Sequence, residues 1–227
     1  MNAGPRSIKF LLMVSLVSTF ALSTSNIASA QTTVTFDDLP TPGISGTAGL
    51  GPMPATYGGL NWTNCSCVAL NSSAYGANPS GYQNAVVSLP NILSTAGFTI
   101  TLPGGGPFTF NSAYITGAWR DGQSVSVIGQ NGSTTVDSTT LVLGAAGVRG
   151  LYSFNWNNLT SVTITPSGGT PSATYSQQSI VAIGVDNLIY TAGSVSSGDS
   201  DGPLPLWALC ALGAGLVGIA SRRLKKA

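Results

Sequence analysis

Histidine and glutamate are both absent from this chain, and charged residues make up only 7% of its 227 positions. Each absence removes chemistry. Without histidine, the usual Ser-His-Asp hydrolase arrangements and most protein metal centres are excluded. Without glutamate, a glycosidase carboxylate pair would have to come from the seven aspartates, none of which lies in a motif that marks one. Asp37 and Asp38 are adjacent, so an extended backbone points them to opposite faces and they make no ready dyad. Cations are equally scarce. Between residues 31 and 202 there are two, Arg120 and Arg149, against the seven aspartates, a net charge near −5. Nucleic acid requires clustered lysine and arginine, so it is not an expected partner. The composition predicts a protein that is not an enzyme.

Cysteine is almost as rare. Cys65 and Cys67 stand at i and i+2, on one face of an extended segment, and Cys210 lies in an apolar run near the C-terminus. The missing histidines and this separation argue against zinc. In an oxidising compartment Cys65 and Cys67 can join in a local disulfide, although so small a loop gives little stabilisation.

What is present is concentrated at the two ends. Arg6 and Lys9 precede an apolar stretch over residues 10–22, and Ala28-Ser29-Ala30 closes it before Gln31. A positive start, an apolar core and a small-residue finish form a secretory signal peptide, with cleavage expected between Ala30 and Gln31. At the other end, residues 204–220 carry no charge, and Arg222, Arg223, Lys225 and Lys226 follow at once. A run of this length sits at the lower limit for a transmembrane helix, and the basic cluster keeps the tail cytoplasmic. The expected organisation is a signal peptide at 1–30, one domain at 31–192, a flexible Gly/Ser/Asp linker at 193–202 and a C-terminal signal at 203–227.

The order Pro203-Leu204-Pro205-Leu206-Trp207, apolar glycine-containing run, then Arg222-Arg223-Leu224-Lys225-Lys226 resembles a PEP-CTERM-type sorting signal. Pro203-Leu204-Pro205 stands where Pro-Glu-Pro is typical, which fits a variant system of the same kind. The resemblance implies recognition by an exosortase in the inner membrane of a Gram-negative bacterium. It also implies an anchored precursor and then release to the envelope, surface or extracellular matrix.

Residues 31–192 alternate apolar and polar positions between turn residues, the pattern of short half-buried strands. Thr33-Val34-Thr35-Phe36, Gly59-Leu60-Asn61-Trp62, Ala85-Val86-Val87-Ser88 and Phe98-Thr99-Ile100-Thr101-Leu102 read as strands. So do Phe108-Thr109-Phe110, Ala113-Tyr114-Ile115, Ser124-Val125-Ser126-Val127-Ile128, Ser133-Thr134-Thr135-Val136 and segments near 152–156, 161–165 and 180–190. Asn131-Gly132 is the strongest hairpin signal. These features predict an all-β chain: an antiparallel β-sandwich of jelly-roll type, followed by one C-terminal transmembrane helix.

Phe36-Asp37-Asp38-Leu39, Tyr57-Gly58-Gly59-Leu60-Asn61-Trp62, Ala118-Trp119-Arg120-Asp121-Gly122 and Ile183-Gly184-Val185-Asp186-Asn187-Leu188 are similar to landmarks of exported bacterial β-sandwiches. In outline those domains resemble carbohydrate-binding jelly rolls. That resemblance implies a structural Ca²⁺ shared by the first and last strands, with Asp37 or Asp38 and Asp186 as oxygen ligands. The alternative is that Asp38 and Asp186 hold local backbone. Trp119, Arg120 and Asp121 form the candidate ligand cluster: an aromatic face stacks on sugar C–H groups while polar neighbours orient the ring. Trp119 fits a core anchor equally well. The expected role is non-catalytic, structural or adhesive, with carbohydrate binding to exopolysaccharide as the alternative.

Overall fold

The computed structural model describes residues 30–41, 49–73, 80–175 and 179–193. The signal-peptide residues before Ala30, the linker beyond Gly193, the sorting motif and the expected membrane helix lie outside them. Among the described residues no helix is long and apolar enough to cross a membrane.

Thirteen strands run in chain order. They are β1 (Gln31–Val34), β2 (Leu50–Pro52), β3 (Thr56–Tyr57), β4 (Leu60–Thr63), β5 (Cys67–Asn71), β6 (Asn91–Thr95) and β7 (Phe98–Thr101). The second half holds the long ones: β8 (Phe108–Gly117), β9 (Arg120–Asn131), β10 (Thr134–Val142), β11 (Arg149–Leu159), β12 (Ser161–Pro171) and β13 (Ile183–Ala192). Among the described residues one short α-helix, α1 (Tyr82–Ala85), lies between β5 and β6. The strands form two antiparallel sheets. The seven-stranded sheet has the order β11-β8-β13-β6-β5-β2, with β1 also paired to β13; the six-stranded sheet has the order β10-β9-β12-β7-β4-β3. The fold is the expected all-β sandwich.

Period-two alternation builds the core between these sheets. Val125, Val127, Val162, Ile164, Phe98 and Ile100 point inward from the six-stranded sheet. They meet Phe108, Phe110, Ile115, Ile183 and Val185 from the other. Aromatic rings thicken the layer: Trp62 packs on Phe98 at 5.1 Å between centroids, and Phe154 stacks on Phe110 at 4.6 Å. A smaller second core forms outside the seven-stranded sheet, where α1 covers Leu70, Ile92 and Trp119 with Tyr82 and Ala85.

Two expectations change in detail. Residues 85–88 do not form a strand. Ala85 ends α1, and 86–90 cross the sheet face, where the N–H groups of Val87 and Ser88 bond to Asp186 instead of to a neighbouring strand. At the β9–β10 hairpin Asn131 pairs with Thr134, so the two central residues are Gly132 and Ser133. Gly132 has φ +58°, which places glycine first in a type II′ arrangement, the geometry that matches strand twist.

Strand β13 carries the most partners. Along one edge it pairs with β8; along the other, residues 183–185 pair with β6 and residues 188–191 with β1. The hand-over falls at Asp186 and Asn187, where the β8 register shifts and Asn187 adopts φ +44°. Asn91, the first residue of β6, ties this junction to the chain leaving β1. Its side-chain amide donates to the carbonyls of Phe36 (3.1 Å) and Leu39 (2.8 Å), and its own N–H donates to Asp37 Oδ1 (3.0 Å). Replacing Asn91 by Leu strands two buried carbonyls, and each orphaned buried acceptor costs about 1–3 kcal/mol. Asn91→Leu is therefore expected to lower stability by about 2–4 kcal/mol in urea unfolding, with the far-ultraviolet β signature retained at low denaturant.

Candidate functional site

The outer face of the seven-stranded sheet carries a groove of about 270 Å³. Its position follows from strand register. Val68 of β5 pairs with Ser94 of β6, and both project away from the main core, forming the floor. Tyr82 of α1 and Trp119 form one wall, and Ile180 stands at the rim with 42% of its surface exposed. Ser66, Ser94 and Thr95 contribute hydroxyls. The Tyr82 phenol is the one ionisable group apart from these neutral side chains, so the lining is apolar with hydrogen-bonding points.

Trp119 occupies a different role from the expected stacking platform. Its ring is 2% exposed and meets Tyr82 edge-on at 5.6 Å. Burial of so large a ring under α1 anchors the second core, and only an edge reaches the groove. Arg120 and Asp121 are likewise engaged by backbone. The Arg120 guanidinium donates to the carbonyls of Gly168 (2.8 Å) and Gly169 (2.6 Å) at the far end of β12. Asp121 Oδ1 accepts from the N–H of Ala146 at 2.7 Å. The structure thus keeps the three residues consecutive but spends them on three different contacts, each fastening a loop to the sheet end.

The two aspartates proposed for calcium are also engaged separately. Asp186 is fully buried, and four donor groups lie within hydrogen-bond distance of its two oxygens. Oδ2 accepts from the N–H groups of Val87 (2.6 Å) and Ser88 (3.0 Å); Oδ1 accepts from Asn187 N–H (2.7 Å) and Ser88 Oγ (3.3 Å). The Ser88 hydroxyl also lies 2.9 Å from Asn187 Oδ1 and has one proton for the two acceptors, so the carboxylate is held chiefly by the three backbone N–H groups. Asp38 accepts from the Tyr57 phenol, whose ring stacks on Phe36 at 5.7 Å. Burial, with the Asp38 carboxylate beside it, pushes the Tyr57 hydroxyl well above its ordinary range. The nearby charge felt by Asp186 is that of Asp37. Among the described residues no cluster of three or more cysteine, aspartate, glutamate or histidine side chains forms. Asp38 is held by a side chain, the Tyr57 phenol, and Asp186 by one adjacent N–H and two N–H groups of the distant 86–90 segment, so neither simply caps its own turn.

Cys65 and Cys67 are joined as a disulfide with Cα atoms 5.0 Å apart, beside a hollow of about 310 Å³ lined by Met53 and Trp62. Ala30 and Gln31 sit at the very start of the described chain, and Gln31 opens β1.

The groove's floor and the Asp186 clamp were not visible as sites in the sequence. Val68 and Ser94 are unremarkable alone, and they become neighbours only through the β5–β6 register. The outward positions of the six-stranded sheet form a second surface with an unusual composition. One row across the sheet reads Thr135, Gln130, Ser161, Thr101, Asn61 and Thr56; the next reads Ser138, Ile128, Thr163, Thr99 and Thr63. Neither row contains a charged side chain. Thr99 and Thr163 bond hydroxyl to hydroxyl at 3.0 Å across the β7–β12 pair.

Burial is the largest influence on the Asp186 carboxyl and pushes it from 3.8 up to about 6, against the lowering effect of its three backbone donors. The folded value lies above the unfolded one, so the proton stabilises the fold. Stability from this group is fully present below about pH 4 and is lost as pH rises through about 6. The unfolding midpoint is expected to fall across that window, and Asp186→Asn should flatten the profile. A midpoint rising with pH would show that the three backbone donors outweigh burial.

Comparison with known proteins gives little. No protein-family profile and no curated protein matches this chain. Among solved structures, it is similar to TmCBM61, a structure determined in complex with β-1,4-galactotriose. The match has a TM-score of 0.34 and 9% identity, and covers 59% of this chain and 87% of that one.

Proposed function

We propose that this chain is an exported, non-catalytic adhesive component of the envelope or extracellular matrix of a Gram-negative bacterium. Its sandwich holds neutral polysaccharide in the outer-face groove. The observation that carries this reading is the groove's lining: an edge of Trp119, the Tyr82 ring and an apolar floor, with the hydroxyls of Ser66, Ser94 and Thr95 around them. Sugar rings present apolar C–H faces and uncharged hydroxyls, so such a lining meets both without desolvating a charge. The hydroxyl rows on the opposite sheet, also free of charge, suit the same hydrated neutral surroundings. An acidic polymer finds no cation in either place.

The terminal segments supply the address. The Ala30–Gln31 junction marks release from the signal peptide, and Pro203 to Trp207 with the basic tail serve an exosortase-type enzyme that processes a membrane-anchored precursor. Intact-mass analysis of the protein from its native host checks this. The species in the medium should begin at Gln31 and end within residues 202–205. A full-length C-terminus found only in membranes would make the tail an ordinary anchor.

Affinity electrophoresis in gels containing the host's neutral exopolysaccharide tests the groove. Wild-type protein should be retarded. Ser94→Arg, an outward substitution at the middle of the floor, should abolish the retardation while leaving thermal unfolding within about 1 kcal/mol of wild type, as for a typical surface change. Trp119→Ala should lose binding together with stability, because it empties the second core. Equal mobility of wild type and Ser94→Arg would remove the groove from the binding surface.

A further inference from the structure

Strand β10 ends the six-stranded sheet and β11 ends the seven-stranded sheet, and residues 143–148 join the two directly. Neither has a second strand neighbour among the described residues. Exposed apolar surface collects here. Of the six large hydrophobic side chains most exposed to solvent among the described residues, Val136 and Val142 lie on β10, Leu151 on β11, and Val148 in the connection between them. Natural sheets guard such edges with lysine, proline, bulges or inward-pointing charges. Strand β11 is guarded: its register with β8 shifts twice, and Asn155 and Asn158 adopt positive φ there. Strand β10 has one irregularity, between Thr135 and Asp137, and then runs in unbroken register with β9 to Val142. It contains no lysine, arginine or proline, and Asp137 is its single charge.

We propose that β10 is the self-association edge of this protein, pairing antiparallel with β10 of a second copy about a two-fold axis at Thr139. The occupant follows from the strand's own sequence. An antiparallel self-pair centred on Thr139 sets Thr140 opposite Ser138, Leu141 opposite Asp137, and Val142 opposite Val136. The two exposed valines therefore cover one another at both ends of the contact, and the hydroxyl residues pair in the middle, a favoured cross-strand combination. The two Asp137 carboxylates face leucines and are separated along the strand, so the symmetric register places no like charges in opposition. A two-fold contact uses one patch twice, so a single self-complementary strand suffices. The free N–H and C=O groups of each edge find partners, and two six-stranded sheets become one continuous sheet.

The full chain in mild detergent, examined by sedimentation at increasing concentration, should show a monomer–dimer equilibrium. Val142→Lys places an ammonium against Val136 of the second copy and should raise the dissociation constant about tenfold or more. It projects to solvent in the single chain, so the fold is retained, and unfolding measurements confirm that independently. Register is tested by oxidation in a Cys210→Ser background. Thr139→Cys meets itself at the axis and should cross-link to dimer on non-reducing gels. Ser138→Cys, one step off the axis, and Ser112→Cys, on the far sheet, should not. A chain that stays monomeric overturns the proposal. So does a dimer indifferent to Val142→Lys, or cross-linking of Thr139→Cys no greater than that of Ser112→Cys.

Discussion

Strand β13 has to serve two neighbours on one edge, and the polar clamp at their junction is the constraint on which the seven-stranded sheet depends. Where β6 hands over to β1, the ladder is interrupted and backbone groups lose their regular partners. Buried backbone polar groups that find no replacement cost as much as a lost hydrogen bond, so the junction has to supply acceptors and donors from side chains. Asp186 supplies acceptors to the 86–90 crossing, and Asn91 supplies donors to the chain after β1. Together they fix where α1 ends, how the crossing lies over the sheet, and where the first strand docks. The groove depends on that placement, because α1 contributes Tyr82 to its wall.

Much of the sandwich was legible because its strands obey a local rule. Phe98-Thr99-Ile100-Thr101 and Ser124-Val125-Ser126-Val127 alternate cleanly, and alternation decides which face meets the core. The hairpin after β9 was marked by glycine. The failures share a physical cause. Ala85-Val86-Val87-Ser88 has the β-branched composition of a strand, yet its N–H groups bond a carboxylate 99 residues away, a contact no local pattern encodes. Strands β5 and β6 were missed because Val68-Ala69-Leu70 and Ile92-Leu93 are short apolar runs without alternation; they carry apolar groups on both faces, one toward each core. Strand β8 looked like two pieces because the pattern breaks between Phe110 and Ala113, where the register also shifts.

The candidate site was less legible than the fold, and Trp119 shows why. Scarcity of charge made Trp119-Arg120-Asp121 conspicuous, and conspicuous residues invite a binding role. The sheet end needs the same residue types for another purpose. Arginine's fork of donors satisfies two carbonyls in the glycine turn of 168–169, aspartate satisfies an N–H in the loop after β10, and tryptophan fills the space beneath α1. The residues of the groove floor, Val68 and Ser94, carry no signal in one dimension. Only the strand register turns them into a floor.

One property links the groove, the hydroxyl rows and the open edge: the near-absence of charge from the sandwich domain. Lysine and glutamate commonly keep sheet faces hydrated and sheet edges apart. With neither residue type in the sandwich, solvation falls to serine, threonine and asparagine. These groups solvate the faces without repelling a neutral polymer or another copy of the same strand. The geometry keeps the two contacts compatible. Strand β10 belongs to the six-stranded sheet, whereas the groove lies on the outer face of the other, so joining two copies through β10 covers neither groove. On the two proposals together, a dimer would present two polysaccharide contacts from one rigid body. Weak grooves of about 270 Å³ gain from that arrangement, because the second contact becomes intramolecular once the first is made. Adhesion to a repetitive polymer is the setting in which such modest, uncharged and duplicated contacts act most effectively.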